Sequence, residues 1–494
     1  MKDGSLHISK DTIEKYEAVI GLEVHVQLST ATKAFSSDSA KYGNKPNCNI
    51  SPVSLALPGA LPVTNKEIIK SAVKLGLALG CEISRENYFD RKNYFYADLP
   101  KGYQITQDNK PICLGGKLSI ALSDGKQKDV LLNRIHMEED AGKSIHDLDD
   151  TCSFIDLNRA GVPLLEVVSE PILQSGEEAA TYFAELRKLV RYLGICDGNL
   201  EEGSMRCDAN ISVRLKGETK LGNRCEVKNL NSVRNLQRAV DYEILRQIAV
   251  IEDGGTIAQN TLNFDAATGL TSPLRSKEMA NDYRYFPEPD LLPLVITEDF
   301  ISSIRQAMPA LPNELFELFT TEFKLPAYDA KVLTSEREIA AYFLETIKHT
   351  KNHKAASNWI MGTIKSYLNE SGLGFESFEI EAKQIATIIN LIDEGKLNNS
   401  QAKETLFVEL LKSPKIDVLE LIRTLNLSIN NDNTQLEEYV DSVLSIFADK
   451  VKEYHNGKKG VLGLFMGEIM KISKGKIDPK QANQILLDKI DKLK

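Results

Sequence analysis

The stretch Val19-Ile-Gly-Leu-Glu-Val-His-Val-Gln-Leu28 alternates apolar and polar residues with a period of two. That is the period of a strand, whose successive side chains point to opposite faces. Leu22, Val24, Val26 and Leu28 then share one face, and Glu23, His25 and Gln27 share the other. The polar face has two readings. It meets water, as one face of an antiparallel sheet commonly does. Or it floors a metal or phosphate site, since it aligns a carboxylate with an imidazole.

The sequence around this strand is of the same mixed kind. Residues 18 to about 295 are rich in Gly, Pro and short β-type runs: Tyr94-Phe-Tyr96, Lys117 to Leu122, Leu164 to Ser169 and Ala209 to Leu215. Helical windows interrupt them. Lys66 to Leu79 spaces Ile68, Ile69, Ala72, Val73 and Leu75 as a helix does. Ser175 to Leu193 opens on the capping-box pattern Ser175-Gly-Glu-Glu. Ser232 to Glu252 follows a polar cluster, Lys228 to Asn231. The expected fold class is α+β, built on a large antiparallel or mixed sheet. After about residue 296 glycine thins out and helical periodicity takes over. Turn signals at Leu311-Pro-Asn, Leu325-Pro, Gly372 to Gly374 and Ser413-Pro separate the helices. The expected division is an N-terminal extension over 1–16, a large domain over 17–295, a helical domain over 296–400 and a small helical tail over 401–494.

Bulk properties narrow the function classes. At 494 residues the chain exceeds one typical core, and about 150 residues per domain predicts roughly two to four. A 42% hydrophobic and 26% charged composition is that of a water-soluble globular protein. No apolar run reaches the roughly 18 residues of a membrane span. The polar start, Met1 to Glu17, resembles no export or organelle signal. Seven cysteines occur without a CxxC pair, so neither a disulfide framework nor a structural zinc site is expected. A cytoplasmic, reducing location follows. The net charge of −10 argues against coating nucleic acid by bulk charge. Residues 451–494, however, hold ten Lys against five Asp and Glu, giving +5 and leaving −15 elsewhere. This asymmetry suits a tail that meets an anion, or a solvated helix. In that tail Val461 to Ile472 reads as a helix with Gly460, Gly463 and Gly467 near one side, between Gly457-Lys-Lys-Gly460 and Gly475-Lys-Ile-Asp-Pro479. Glycine is costly inside a helix, so the cluster points to close approach by another helix or by a nucleic-acid backbone.

Polar functional residues concentrate in three further segments of the large domain. Phe89-Asp-Arg-Lys-Asn-Tyr-Phe-Tyr-Ala-Asp-Leu-Pro-Lys-Gly-Tyr-Gln104 mixes Arg91, Lys92 and Lys101 with aromatics. That mixture suits phosphate neutralisation beside ring stacking, or an aromatic-braced loop. Arg134-Ile-His-Met-Glu-Glu-Asp-Ala-Gly-Lys-Ser144 carries three successive carboxylates, Glu138, Glu139 and Asp140, which repel one another unless a cation or water intervenes. Glu166 interrupts the apolar run Val162 to Val168, and buried carboxylates are usually paired or metal-bound. A mostly carboxylate ligand set suits Mg²⁺ or Mn²⁺ better than zinc. Carboxylate-held Mg²⁺ beside Lys and Arg is the equipment of phosphoryl transfer. Neither a P-loop nor a GxGxxG is present, so an ATP site would be of another kind.

These segments resemble a known family. Gly21 to Gln27, Phe89 to Tyr96, His136 to Ser144, Glu201 to Asn210, Val227 to Ser232 and Asp282-Tyr-Arg-Tyr-Phe-Pro-Glu-Pro-Asp290 are similar, in collinear order, to the B subunit of the aspartyl/glutamyl-tRNA amidotransferase. The likeness runs on through Ser357-Asn-Trp-Ile-Met-Gly362 into the glycine-bearing tail, and covers nearly the whole chain beyond residue 16. It implies a cradle domain, a helical domain and a tRNA-binding tail, in a heterotrimer with an amidase subunit and a small third subunit. It implies that ATP and Mg²⁺ phosphorylate the side-chain carboxylate of Glu or Asp mischarged on tRNA(Gln) or tRNA(Asn). Channelled ammonia then displaces phosphate, giving Gln-tRNA or Asn-tRNA. The metal ligands carried over are Glu23, His25, Glu139 or its neighbour Glu138, and Glu166. Lys92 and Arg91 would face the phosphates, with Arg206, Asp208 and Lys228 as further nucleotide or acceptor-end contacts. The chain departs from members with a zinc-binding cysteine cluster: Ile50-Ser-Pro-Val-Ser54 stands in its place beside a lone Cys48, so no zinc is expected. Nor is there room between Asp290 and Ser357 for the synthetase-like insertion of the archaeal relative. Two competing readings are a non-catalytic tRNA-binding scaffold and a partner-free metal-dependent hydrolase.

Overall fold

In the computed structural model the described residues are 8–146, 148–149, 151–276, 283–427, 433–473, 477 and 479–493. The first seven residues, Asp282, and Gly475, Lys476 and Asp478 of the tail turn lie outside them. The chain divides into two compact units, Met1–Leu311 and Pro312–Lys494.

The first unit is built on the opening strand. Tyr16–Gln27 forms β1, at the centre of a ten-stranded mixed sheet. The further strands named here are β2 (Asp90–Asn93), β3 (Tyr103–Thr106), β4 (Gln127–Glu139), β5 (Pro163–Ser169), β6 (Met205–Leu215), β7 (Cys225–Leu230), β8 (Asn260–Asp265), β9 (Leu270–Ser276) and β10 (Phe286–Pro287). The large sheet runs β9-β8-β7-β6-β1-β5-β4, and short strands complete it beyond β4. All these pairs are antiparallel except β7 with β8. Leu22, Val24 and Val26 have no exposed surface. Each contributes about 1.5–3 kcal/mol by burial.

Three helices cover that apolar face: α1 (Lys66–Ala78), α2 (Gly176–Tyr192) and α3 (Val233–Glu252). Ile68, Val73, Tyr182, Phe183, Leu186, Leu236 and Val240 join the strand residues in one core. Ser175 Oγ caps α2 by accepting from Glu178 N–H, and Ser232 Oγ caps α3 by accepting from Asn235 N–H. Gly176 is required where α2 starts, because a Cβ there would lie 2.4 Å from Asp241 Oδ1 and 2.6 Å from the Gln237 carbonyl. With the helices on one face, the polar face of the sheet is left for other work. The architecture is α+β.

The first unit runs past the boundary expected at 295. Glu298–Ala307 forms α4, and its Ile301 and Ile304 are buried in the first unit's core. Tyr94 to Tyr96, expected as a β-run, is irregular, because β2 ends at Asn93. The residues before it, β2, pair in a separate small sheet, β10-β2-β3.

The second unit is helical. In the segment Ser357 to Gly362, Ser357, Trp359 and Ile360 are buried, and Ser357 Oγ donates to the buried Asp329 at 2.8 Å. Near its end, α5 (Asn433–Ile446), α6 (Val461–Ile472) and α7 (Pro479–Lys492) share a core that includes Val440, Phe465, Ile469 and Leu486. For the glycine cluster of α6 the structure gives no support to the first of the two readings, close approach by another helix. Among the described residues, nothing beyond the helix's own backbone and the glycines' chain neighbours lies within 4 Å of where a Cβ would stand on Gly460, Gly463 or Gly467. No helix of the described residues closes on them, and the glycine side faces outward. No described helix is long and apolar enough to cross a membrane.

The loop that departs from the zinc-bearing pattern is tied by hydrogen bonds, and all seven cysteines are free. Lys33 is 1% exposed and donates to the carbonyls of Asn49 and Leu157 and to Ser54 Oγ. Asp38 accepts from Ser36 and Ser54. Burial lowers the Lys33 ammonium to about 8. The unfolded chain therefore binds a proton that the folded chain has lost between about pH 8 and the ordinary lysine value of 10.5. Stability rises with pH across that window. Urea unfolding of the wild type and of Lys33→Met at pH 7.5 and pH 10 is expected to show the wild type gaining up to about 3 kcal/mol relative to the variant.

Candidate functional site

Strand register assembles the site on the uncovered face of the sheet. Across β1 and β5, His25 lies opposite Glu166, and across β5 and β4, Glu166 lies opposite His136. On β6, Arg206 lies opposite His25 and Asp208 opposite Glu23. Directly paired residues share a face, so these polar side chains form rows across four strands.

At the centre, one ligand atom from each of His25, Glu138 and Glu166 lies within 4.8 Å of the others. His25 Nε2 is 3.5 Å from Glu138 Oε1 and 3.7 Å from Glu166 Oε2. Those gaps are long for hydrogen bonds. They suit donors that share one small cation at about 2.0–2.1 Å from each. Behind them His136 Nε2 sits 3.1 Å from Glu166 Oε2 and 3.8 Å from Glu138 Oε2. Burial alone would lower the His136 imidazolium, but Glu166 and Glu138 outweigh it and raise its pKa to about 9. Burial likewise opposes ionisation of Glu166, yet His136, then His25 and Lys92, hold its carboxyl well below the usual range. Both carboxylate and imidazolium are thus charged at neutral pH.

A second acidic group lies beside the first. Glu23, Asp208 and Glu226 also offer ligand atoms within 4.8 Å of one another. Lys228 Nζ pairs with Asp208 at 2.8 Å and Glu226 at 2.6 Å. Asn210 Nδ2 donates to Glu23 at 2.9 Å. Burial, then the neighbouring Glu166 and Asp208, raises the Glu23 pKa. Glu23 therefore stands with Asp208 and Glu226 rather than with His25.

The acidic triplet splits. Glu138, opposite Leu164, points with His136 toward the centre, whereas Glu139, opposite Pro163, is out of phase with it. Glu139 is 2% exposed, ion-pairs with Lys101 and accepts from Ile105 N–H. Asp140 pairs with Arg206 at 3.0 Å. Arg91 and Lys92 split in the same way. Lys92 lies opposite Gln104 and lines the same cavity, of about 260 Å³, as His25, Glu138 and Glu166. Burial alone would lower its ammonium, but Glu138 leads the charges that raise it above the ordinary value. Arg91 turns away and clamps Glu288, at 2.7 and 2.8 Å, and Asp290, at 3.0 Å. An adjoining cavity, of about 350 Å³, shares His25, Lys92 and Glu166 and adds Arg134, Arg224 and Tyr283. Beyond Arg206 a third, of about 530 Å³, is lined by Gln27, Lys143 and Arg159. Three polar cavities thus succeed one another along the sheet, joined by shared side chains.

Comparison with known proteins gives the family. Residues 18–302 match the family described as the GatB/GatE catalytic domain, and 341–490 that described as the GatB domain. The chain belongs to the GatB family. Its GatB-type sequence is 47% identical over 476 residues to the B subunit of the aspartyl/glutamyl-tRNA(Asn/Gln) amidotransferase of Syntrophotalea carbinolica, covering 96% of this chain and 99% of that one. The B subunit of the Chlorobium limicola enzyme is 46% identical, covering 97% and 100%. That of Trichlorobacter lovleyi is 47% identical, covering 96% and 99%. The GatB catalytic match spans every residue of the polar trough named above.

Proposed function

We propose that this chain is the tRNA-directed subunit of an aspartyl/glutamyl-tRNA(Asn/Gln) amidotransferase and carries its ATP-dependent step. The observation that carries the reading is the convergence of His25, Glu138 and Glu166 beside Lys92, in a chain similar end to end to proteins of that name. The γ-phosphoryl group of ATP passes to the side-chain carboxylate of Glu or Asp esterified to tRNA. Ammonia then attacks the acyl carbon and phosphate leaves, giving the amide. A carboxylate is a poor acyl donor and an acyl phosphate a good one, which is why ATP is consumed.

The residues divide the labour by chemistry. His25, Glu138 and Glu166 fit a Mg²⁺ ion, which when bound supplies charge neutralisation to phosphate oxygens. Lys92, protonated, adds a point charge beside them. His136 holds Glu166 in place from behind by a charge-assisted contact. Arg134, Arg224 and Lys228 give the 350 Å³ cavity the cations a polyphosphate needs. Arg206, fixed by Asp140, joins the trough to the next cavity, where the aminoacyl end has room. Ammonia comes from a glutamine-hydrolysing amidase subunit, with a small third subunit completing a cytoplasmic heterotrimer.

The test is reconstitution with those two subunits, glutamine, ATP, Mg²⁺ and either Glu-tRNA(Gln) or Asp-tRNA(Asn). Gln-tRNA or Asn-tRNA is expected, and its absence from a correctly assembled complex overturns the reading. Turnover by the isolated chain would instead favour the hydrolase reading.

The outward glycine side of α6 is assigned to the tRNA body. Substituting Gln at Gly463 and Gly467 is expected to stabilise the helix by roughly 1 kcal/mol per site, because glycine is a poor helix former. The same pair is expected to raise KM for tRNA about tenfold, by holding the phosphate backbone off a surface whose attraction is short-ranged. Thermal unfolding and aminoacyl-tRNA titration measure the two opposite effects. Gain of stability without loss of tRNA affinity would remove the assignment.

A further inference from the structure

The cation-lined cavity beside His25 continues into a row of aromatic rings. Lys92 Nζ lies 4.9 Å from the ring centre of Tyr283 and 6.0 Å from that of Tyr94. Tyr94 and Tyr283 meet edge to face at 6.1 Å. Each then meets a second tyrosine further out: Tyr96 at 5.8 Å from Tyr94, and Tyr285 at 6.2 Å from Tyr283. The inner pair lines the cavities, whereas the outer rings are open, Tyr96 57% and Tyr285 37% exposed. Edge-to-face packing is the ordinary preference of aromatic pairs and needs no ligand. A row that starts at a lysine inside a polar cavity and ends on open rings is harder to explain by packing alone.

Two observations point to a ligand. Arg134, on the cavity wall, keeps its Nε–H buried without an acceptor. A buried donor left unmet is costly, and an anion in that cavity would satisfy it. Arg284, between Tyr283 and Tyr285, adopts φ +44°. That conformation is strained for a residue with a Cβ. It is held by Asn93, whose backbone N–H donates to the Tyr283 carbonyl at 2.9 Å and whose Nδ2 donates to the Arg284 carbonyl at 2.8 Å. The chain thus keeps a strained turn that presents the two rings beside the cations.

We infer that Tyr283 and Tyr285 form a stacking shelf for the purine base of the nucleotide, whose triphosphate runs inward past Arg134 and Arg224 to Lys92. A flat ring at one end and a polyanion at the other match the two ends of this surface. The assignment rests on the ATP-dependent reading above. It goes further in naming where the base lies and in assigning the shelf to the nucleotide rather than to the terminal adenosine of tRNA.

The test uses the assembled complex carrying Tyr285→Ala or Tyr285→Trp. For Tyr285→Ala, KM for ATP is expected to rise about tenfold, within the range of one lost base stack, and the effect falls on KM rather than on kcat. KM for Glu-tRNA(Gln) is expected to stay as in the wild type. Tyr285→Trp restores KM for ATP, which a merely structural role for the hydroxyl or for the turn would not predict. Ribose 5-triphosphate, which lacks the base, is expected to serve wild type and Tyr285→Ala equally poorly. A rise in KM for tRNA with ATP unaffected would move the shelf to the terminal adenosine and overturn the proposal. Unchanged KM for both substrates would reduce the rings to packing and overturn it as well. A wild-type complex that makes no amidated tRNA with ATP would fail at the ATP-dependent reading itself, a result distinct from either.

Discussion

Glu166→Gln is expected to cut ATP-dependent amidation by roughly 10³-fold, the scale lost with a preorganised charge at a reacting centre. The substitution keeps the shape and removes the charge. Glu166 stands 3.7 Å from His25 Nε2 and 3.1 Å from His136 Nε2. Its loss takes one oxygen donor from the central cluster and leaves His136 without its nearest carboxylate. The side chain is not a core prop: its neighbours along the strand, Leu165 and Val167, carry the packing and are fully buried. Complex assembly and tRNA affinity are therefore expected to persist, while ADP release and Gln-tRNA formation fall together. Ammonia production from glutamine by the amidase partner gives the internal control. A variant that still releases ADP at the wild-type rate would place the phosphorylation elsewhere.

The wall of the site was legible because alternation is a local signal. Glu23, His25 and Gln27 on one face, against Leu22, Val24 and Val26 on the other, can be read without any partner strand. Glu166 was legible for a similar reason, as a charge inside an apolar run. Two residues that were not singled out, Arg134 and His136, gave the same kind of signal less loudly, and so did Glu138, the alternative to Glu139. Arg134, His136 and Glu138 alternate as Glu23, His25 and Gln27 do, and β4 continues through Glu139. Carrying the period of two to the strand's end separates Glu138 from Glu139. The same count on β2 separates Lys92 from Arg91, which adjacency in sequence had grouped. Other features were not local. Glu226 joins Glu23 only through the register of β1, β6 and β7, with a register shift between Cys207 and Ala209. No count along one strand reveals that. The end of the first unit depended on where Ile301 and Ile304 of α4 are buried, which its own periodicity does not say.

Arg91→Ala is expected to destabilise the first unit by roughly 3–5 kcal/mol, the scale on which a buried charge loses its partner. Glu288 is 3% exposed, and its carboxylate receives both arms of the Arg91 guanidinium. The guanidinium also lies 4.2 Å from the ring centre of Tyr103. Lysine cannot reproduce a two-armed clamp stacked on a ring, so Arg91→Lys is expected to recover little. A positioning role and a direct role on phosphate are separated by a cycle. Removing both charges, as Arg91→Met with Glu288→Gln, leaves no unpaired buried ion and should regain much of the stability lost by Arg91→Ala. If Arg91 only holds the segment from Tyr283 to Asp290 against β2, amidation returns with stability, to within about tenfold of wild type by the coupling expected of neighbouring residues. If the guanidinium itself met phosphate, the double variant would fold and remain inactive. Its separation from Lys92 by one strand position favours the first outcome, because adjacent residues of a strand face opposite ways.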